Sequence, residues 1–313
     1  MNTAPRCRSF LGMPVETNPA RVRADFAFLG IPFGVPYDMA NVSPLAAEGP
    51  TAVRAACEVM NDEVAYLAFD FDLGRPLLAG DPPVIVDCGD VPGDPRDLQG
   101  NAEAATDAVR GVLSGGGVPL VVGGDHAIPP LVLAAYENRG PIDVLQIDAH
   151  LDFRMEWLGV RGGYSSPMYQ LRQMPWVREI AQVGLRGTGR SRQQEVDNAL
   201  ASGSLLVTAD EVHERGVDWI VEGFQDDGKY YVTIDVDGLD PSCMPGTPWA
   251  VPGGLTYAQV SGLLRGLAAK GKLVGMDVCE FAPSLDVNQW TALAIVRLMI
   301  TAIGMSWPGG SSP

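Results

Sequence analysis

Residues 142–152 read IDVLQIDAHLD, an apolar run that leads directly into three potential metal ligands. The run at 142–147 predicts a strand that is buried on both faces. Alternate side chains of extended backbone point to the same face, so Asp148, His150 and Asp152 are expected to project together from the end of that strand. This stretch therefore predicts a metal site at a strand end of an α/β protein.

Two further segments repeat the arrangement elsewhere in the chain. The sequence GGDH (123–126) follows a predicted strand at 119–122, and DVD (235–237) follows another at 230–234. Ligands of open α/β sheets bind beyond the carboxyl ends of the strands, and all three segments lie at such ends. Four aspartates and two histidines at three strand ends therefore predict a site for two divalent metals, which indicates hydrolysis.

The predicted elements alternate between strand and helix, which is typical of a parallel sheet with helices on both faces. The runs interpreted as strands are residues 25–31, 84–87, 119–122, 144–147, 180–185, 205–207, 230–234 and 273–278. The stretches interpreted as helices are residues 50–60, 101–114, 129–136, 192–201, 210–223, 256–269 and 288–303. The helix at 256–269 is the best marked, because Thr256 and Gln259 form a capping box and Gly271 stands near the expected end.

The composition indicates a globular protein of 313 residues, with 46% hydrophobic residues and a formal net charge of −16. An acidic chain of this kind is a poor partner for nucleic acid or anionic membranes, and it would tolerate a cationic substrate. Five cysteines without a C-x-x-C pair, no signal-peptide pattern and no apolar run of about 18–20 residues predict a cytoplasmic protein. We expect a single domain over 1–313, with an N-terminal extension at 1–24 and a flexible tail at 307–313.

A mixed set of carboxylates and imidazoles is typical of sites for Mn²⁺, Ni²⁺, Co²⁺, Fe²⁺ or Zn²⁺. A lone aspartate at a strand end is more often a helix cap or a turn former. Asp125 is therefore interpreted either as a turn former or as a partner that orients His126. The complete set has no ordinary packing explanation, and two of the three histidines of the chain lie within it. The third, His213, is expected on the surface.

On these motifs the chain resembles the ureohydrolase family, which includes arginase, agmatinase and guanidinobutyrase. The resemblance extends from about residue 29 to residue 303. It implies a three-layer α/β/α sandwich with a central, mostly parallel sheet, assembled as a homo- or hetero-oligomeric trimer or hexamer. The segments that carry it are GGDH (123–126), DAHLD (148–152), DVDGLDP (235–241), PGGLT (252–256) and DVCEFAPS (277–284).

The resemblance also implies two divalent ions, Mn²⁺ or Ni²⁺, in each active subunit. A hydroxide that bridges the two ions would attack a guanidinium carbon and release urea, or a urea derivative, and an amine. One ion would bind His126, Asp148, Asp152 and Asp235, and the other would bind Asp148, His150, Asp235 and Asp237.

Two carboxylates have further implied roles in that reaction. Asp152 would orient the hydroxide and shuttle its proton. Glu280 matches the family carboxylate that binds the substrate guanidinium. A carboxylate at the end of the strand at 273–278 is a good bidentate partner for a planar cation, so the position of Glu280 supports this role.

Four residues depart from the pattern of arginases and agmatinases. Ala127 replaces the usual serine after GGDH, and Tyr164 aligns with a histidine that precedes a proline. Tyr164 is therefore the candidate hydrogen-bond donor in place of the imidazole, although a pKa of about 10 makes tyrosine a slower proton relay. Trp249 stands where the family has a small threonine, and Arg154 stands where arginase has an asparagine that contacts the amino-acid end.

These departures argue against arginine and weaken agmatine as the substrate. Apolar Ala127 and Trp249 would suit methyl groups, and the indole offers a face for a cation. We therefore expect a small cationic guanidino substrate, namely guanidine, a methylated guanidine or a biguanide such as metformin. One alternative is an agmatinase or guanidinobutyrase in which Trp249 packs in the core. Another is a mainly structural subunit of a hetero-oligomeric ureohydrolase, and a deacetylase-like hydrolase on a similar sandwich is more distant.

Overall fold

A computed structural model describes residues 9–37, 45–60, 68–78 and 80–307. Residues 1–8 of the predicted N-terminal extension and residues 308–313 of the predicted tail at 307–313 lie outside the described residues. Phe10 stacks on Phe28 with the ring centroids 4.5 Å apart, and both rings are buried in the same apolar cluster. The described part of the extension therefore packs on the sheet, and the single-domain assignment stays a prediction.

All eight predicted strands are present, and their ends differ from the predicted ones by at most three residues. They form one sheet in which every pair of neighbouring strands is parallel. The strands are β1 (Phe26–Ile31), β2 (Ile85–Asp90), β3 (Val118–Gly123), β4 (Ile142–Ile147), β5 (Val177–Leu185), β6 (Leu205–Thr208), β7 (Lys229–Asp235) and β8 (Lys272–Cys279).

The strand order across the sheet is β2-β1-β3-β8-β7-β4-β5-β6. The four strands that precede the motif residues, β3, β8, β7 and β4, therefore lie side by side in the middle of the sheet. Their carboxyl ends are level, because Val122 pairs with Val278, Val278 with Ile234, and Ile234 with Ile147. This register brings segments that are far apart in the chain to one edge of the sheet.

Nine α-helices connect or flank the strands within the described ranges. Thr256 caps α8 by accepting a hydrogen bond from the Gln259 N–H, which confirms the predicted capping box. The helices are α1 (Gly49–Met60), α2 (Leu98–Ser114), α3 (Ile128–Leu133), α4 (Pro167–Arg172), α5 (Gln193–Ala201), α6 (Ala209–Arg215), α7 (Asp218–Glu222), α8 (Tyr257–Lys270) and α9 (Trp290–Ser306).

Two helices differ from the prediction for local reasons. The single helix expected at 210–223 is divided into α6 and α7, because Gly216 takes a φ of 76° and ends α6. A left-handed residue of this kind cannot continue an α-helix. The short helix α4 was not predicted, since six residues are too few to show a helical pattern of apolar residues.

Helices cover both faces of the sheet and bury its apolar side chains in two clusters. Helices α1 and α6 to α9 pack on the face that carries Phe28 and Leu145. Helices α2 to α5 pack on the face that carries Ala27 and Val144. The arrangement confirms the predicted three-layer α/β/α sandwich. In the described part of the chain, no helix combines the length and apolar character needed to cross a bilayer.

Candidate metal centre

Two groups of ligand atoms meet at the carboxyl ends of the four central strands. The first group surrounds the Nδ1 atom of His126. This nitrogen lies 3.0 Å from Asp152 Oδ2, 3.1 Å from Asp148 Oδ2 and 3.5 Å from Asp235 Oδ2. The ligand atoms of His126, Asp148 and Asp152 lie within 4.8 Å of one another, which is close enough to hold one ion.

The second group surrounds His150 and shares a residue with the first. The Nδ1 atom of His150 lies 3.0 Å from Asp237 Oδ2 and 3.5 Å from Asp148 Oδ1. Asp148 therefore turns one carboxylate oxygen toward each histidine. A carboxylate in this position could bridge two ions, as a two-metal site requires.

Backbone groups hold the carboxylates in place. The His150 N–H donates to Asp148 Oδ1 at 2.6 Å, and the Ala149 N–H donates to Asp237 Oδ1 at 3.1 Å. The Asp237 N–H donates to Asp235 Oδ1 at 2.9 Å, within the short turn that follows β7. These bonds leave the Oδ2 atoms of Asp235 and Asp237 without a backbone donor, so both stay available for an ion. The Oδ2 atom of Asp148 accepts from the side-chain amide of Gln146 at 2.5 Å.

The four carboxylates are almost completely withdrawn from water. The exposed fraction of the residue is 0% for Asp148, 9% for Asp152, 3% for Asp235 and 1% for Asp237. Within the described ranges, no lysine or arginine forms an ion pair with any of them. The two histidines are the nearest cationic partners of these carboxylates, and so many buried negative charges favour the binding of further cations.

The acid–base properties of the centre reflect this concentrated negative charge. Burial, together with the charges of Asp237 and Asp148, raises the pKa of Asp235 well above its ordinary value. Burial disfavours a charged His150, but hydrogen bonds to Asp148 and Asp237 outweigh it and raise the His150 pKa to about 11. Divalent ions with oxygen and nitrogen ligands fit such a set.

Glu280 lies beside the metal centre at the end of β8. Its side chain accepts a hydrogen bond from the His126 N–H at 3.1 Å, and the residue is only 5% exposed. Its backbone is left-handed, with a φ of 61°, and its N–H donates to the Gly124 carbonyl at 2.8 Å. Burial and the charge of Asp125 raise the pKa of Glu280 to about 8. A guanidinium ion in contact with Glu280 would stabilise the ionised carboxylate.

A cavity of about 250 Å³ opens onto the centre. Tyr164, Trp249 and Arg154 line it, as do Glu280 and all the predicted ligands except the fully buried Asp148. The Tyr164 and Trp249 rings stack with centroids 6.4 Å apart. Ala127 is 1% exposed and does not line the cavity. Its position therefore does not support the predicted contact with substrate, which stays a prediction.

Tyr37 and Arg190 are among the cavity residues that were not singled out from the sequence. Tyr37 packs edge-on against Tyr164, with centroids 4.6 Å apart, and Arg190 lies over the Trp249 ring at 4.2 Å. Tyr37 follows β1 and Arg190 follows β5, so both lie beyond the carboxyl ends of strands. The metal ligands were predicted from their position just beyond strand ends, and Tyr37 and Arg190 share that position. No motif distinguishes either residue from its neighbours in the sequence.

The remaining candidate residues take ordinary roles. Asp125 accepts hydrogen bonds from the Ala127 N–H at 2.9 Å and the Val35 N–H at 3.3 Å, which fits the turn-former interpretation. His213 is exposed, as expected, and contacts Gly253 and Gln259.

Comparison with known proteins places this centre in a family. Residues 24–304 match the Arginase family. The chain belongs to the arginase family. An agmatinase of Sodalis glossinidius (strain morsitans) is 33% identical over 298 residues, which cover 93% of this chain and 90% of that protein. An agmatinase of Photorhabdus laumondii subsp. laumondii is 32% identical over 295 residues, which cover 91% and 88%.

Solved structures agree with this assignment. Proclavaminate amidino hydrolase from Streptomyces clavuligerus superposes with a TM-score of 0.83 at 27% identity, covering 97% of this chain and 99% of that one. Arginase from Medicago truncatula gives a TM-score of 0.75 at 27% identity, covering 90% and 88%. The ureohydrolase resemblance and the enzyme class are therefore confirmed. The chain is a hydrolase of C–N bonds in amidino groups, from a family that depends on a binuclear metal centre.

Proposed function

We propose that this arginase-family chain uses two divalent ions to hydrolyse a compact guanidine compound. The position of Asp148 between the two histidine-centred groups is the observation that carries the proposal, because one shared carboxylate makes two adjacent sites. Asp235 is proposed as a second shared ligand. The proposed ligands are His126, Asp148, Asp152 and Asp235 for one ion, and Asp148, His150, Asp235 and Asp237 for the other.

The ions, when bound, would supply an activated water as the nucleophile. Asp152 is proposed to take and return its proton. Burial and the charge of Asp148 raise the pKa of Asp152 to about 6 in the metal-free centre. Glu280 is proposed to hold the substrate guanidinium as a bidentate acceptor. Its backbone bond to Gly124 and its contact with the His126 N–H fix its position beside the ligands.

The aromatic wall of the cavity supports a substrate with apolar groups. Tyr37, Tyr164 and Trp249 form a continuous aromatic surface that lines the cavity of about 250 Å³ and also an adjoining cavity of about 630 Å³. Methyl groups on a guanidine or biguanide would bury their apolar surface against these rings. Burial raises the pKa of Tyr164 further above 10, and the charge of Tyr37 adds to this effect. A role of the Tyr164 ring as a wall is therefore better supported than its predicted role as a proton relay.

The cationic residues of the cavity support a substrate with a single positive charge. Arg154 pairs with Glu195 at 3.3 Å. Arg190 is exposed beside Trp249, and no acidic partner contacts it within the described ranges. The distal ammonium of agmatine would meet this like charge. We therefore favour guanidine, a methylated guanidine or a biguanide such as metformin.

A long-chain substrate is the second candidate function. The two relatives described above are agmatinases and are similar along nearly the whole chain. Among long-chain guanidines, guanidinobutyrate would be favoured over agmatine, since its carboxylate could pair with Arg190.

Product analysis across a substrate panel tests the proposal. The purified protein, loaded with Mn²⁺ or with Ni²⁺, is incubated with guanidine, methylguanidine, metformin, guanidinobutyrate and agmatine, and mass spectrometry measures the urea, urea derivative and amine released. We expect turnover of at least one compact compound and weaker turnover of agmatine. High turnover of agmatine or guanidinobutyrate, with none of the compact compounds, would replace the preferred substrate by the second candidate.

Metal content tests the alternative of a structural subunit. Two ions per chain after loading are expected from the six buried ligands, and fewer than about one would favour a structural role in a hetero-oligomer. The trimeric or hexameric assembly, its homo- or hetero-oligomeric composition and the cytoplasmic location stay predictions from the sequence.

A further inference from the structure

A buried chain of hydrogen bonds lies behind His126, on the side away from the cavity. The Nε2 atom of His126 is 3.0 Å from Thr233 Oγ1, and the Thr233 hydroxyl donates to Asp277 Oδ1 at 2.7 Å. The Tyr231 hydroxyl donates to the other oxygen of Asp277. Thr233, Asp277 and Tyr231 are each 0% exposed. Tyr231 and Thr233 lie outside the motifs quoted from the sequence, and Asp277 is the first residue of DVCEFAPS (277–284), where no role was assigned to it.

The direction of each bond follows from the groups present. Asp277 is surrounded by donors, because the Cys279 thiol also points to Oδ1 at 3.5 Å. The single hydroxyl proton of Thr233 is used toward Asp277, so the threonine oxygen accepts from His126. A ring proton of His126 therefore lies on Nε2. Nδ1 would then be the nitrogen that loses its proton when an ion binds, and it faces the oxygens of Asp148 and Asp152, where the first ion is proposed to bind.

We infer that Thr233 and Asp277 are positioning residues that fix the tautomer and the ring rotation of His126 for metal binding. This inference rests on the proposed function. A histidine ligand binds through its deprotonated nitrogen, and a hydrogen-bond acceptor at the other ring nitrogen holds it in that form. Here the Asp277 carboxylate acts on His126 through the hydroxyl of Thr233, which lies between them. Loss of such partners typically weakens metal affinity about 10–100-fold.

The substitution Thr233→Val removes the acceptor and nearly keeps the shape of the side chain. Equilibrium dialysis with elemental analysis measures Mn²⁺ affinity and stoichiometry on the full chain. We expect the affinity for one of the two ions to fall about 10–100-fold. Thr233→Ser keeps the hydroxyl and is expected to restore affinity to within about threefold. The matched control is Thr301→Val, which alters a 0% exposed threonine that donates to the Arg297 carbonyl in α9.

The outcomes separate this inference from a merely structural network. Circular dichroism and denaturant unfolding of the metal-free variants report folding independently of metal. If Thr233→Val does not fold, Tyr231→Phe takes its place, because it removes one hydrogen-bond donor from Asp277 and keeps the ring. We then expect the Mn²⁺ affinity to fall about threefold or more. Unchanged affinity in the folded variant, an equal loss in Thr301→Val, or no rescue by serine would overturn the inference. Wild-type protein that binds no metal would refute the proposed function itself.

Discussion

Glu280 is a buried carboxylate. Its replacement by glutamine removes the ionisable group and nearly keeps the size and shape of the side chain. Burial and the charge of Asp125 raise its pKa from an ordinary value of 4.5 to about 8. Between these pH values the native protein keeps a proton that the unfolded chain has lost. The native state then binds more protons than the unfolded state, so the free energy of unfolding falls as pH rises through this window.

The magnitude follows from the pKa difference of about 3.5. At about 1.4 kcal/mol for each pKa unit, ionisation of Glu280 lowers the free energy of unfolding by at most about 5 kcal/mol above pH 8. The variant Glu280→Gln has no proton to lose. Its free energy of unfolding, relative to that of the wild type, is therefore expected to increase by up to about 5 kcal/mol between about pH 5 and pH 9.

Denaturant unfolding of the metal-free proteins, followed by tryptophan fluorescence in a chelating buffer at several pH values, measures this difference. Glu214→Gln, at an exposed position of α6, supplies the control for the substitution itself. A difference between Glu280→Gln and wild type that stays constant from about pH 5 to pH 9 would refute the reasoning. It would show that Glu280 is already ionised before a guanidinium arrives.

Three further outcomes are expected at the centre and its cavity. The variant Asp235→Ala should lose at least one bound ion, measured by elemental analysis, and its turnover, measured by product release, should fall more than about 100-fold. A variant that keeps its full metal content would show that Asp235 is not a ligand. Tyr164→Phe keeps the ring contact with Trp249 and should keep kcat/KM within about threefold, so a tenfold loss would assign catalysis to the hydroxyl. Arg190→Gln should raise kcat/KM for agmatine relative to guanidine about fivefold, since a like charge about 4 Å away costs about 1 kcal/mol where water surrounds the pair. Arg192→Gln, at a residue that lies over Trp157 and does not line the cavity, should leave that ratio unchanged.

The metal ligands could be predicted from the sequence because they are close together within each segment. Asp148 and His150 are two residues apart at a strand end, and so are Asp235 and Asp237, which places each pair together whatever the strand order. The cavity wall could not be predicted in this way. Tyr37 and Arg190 lie on different connections, and only packing brings them to Tyr164 and Trp249.

Local backbone geometry explains the elements that differed from prediction. The left-handed Gly216 divided one expected helix, and α4 was too short to show a period. Asp152 and Glu280 also take positive φ values, 48° and 61°, which neither the strand pattern nor the motifs indicate. Side chains beyond a strand end are therefore less predictable in direction than the strand itself, because the pleat no longer fixes them.

The sequence by itself determined the strands, the three ligand segments and the hydrolytic family, because apolar strand runs and short motifs are encoded within a few residues. The tertiary structure alone decided that β3, β8, β7 and β4 are neighbours, which brings residues as far apart as His126 and Asp235 into contact. It also decided that Asp148 faces both histidines and that Thr233 and Asp277 lie behind one of them. These relations depend on strand order and register, which are set by packing across the whole sheet and not by any local run of residues.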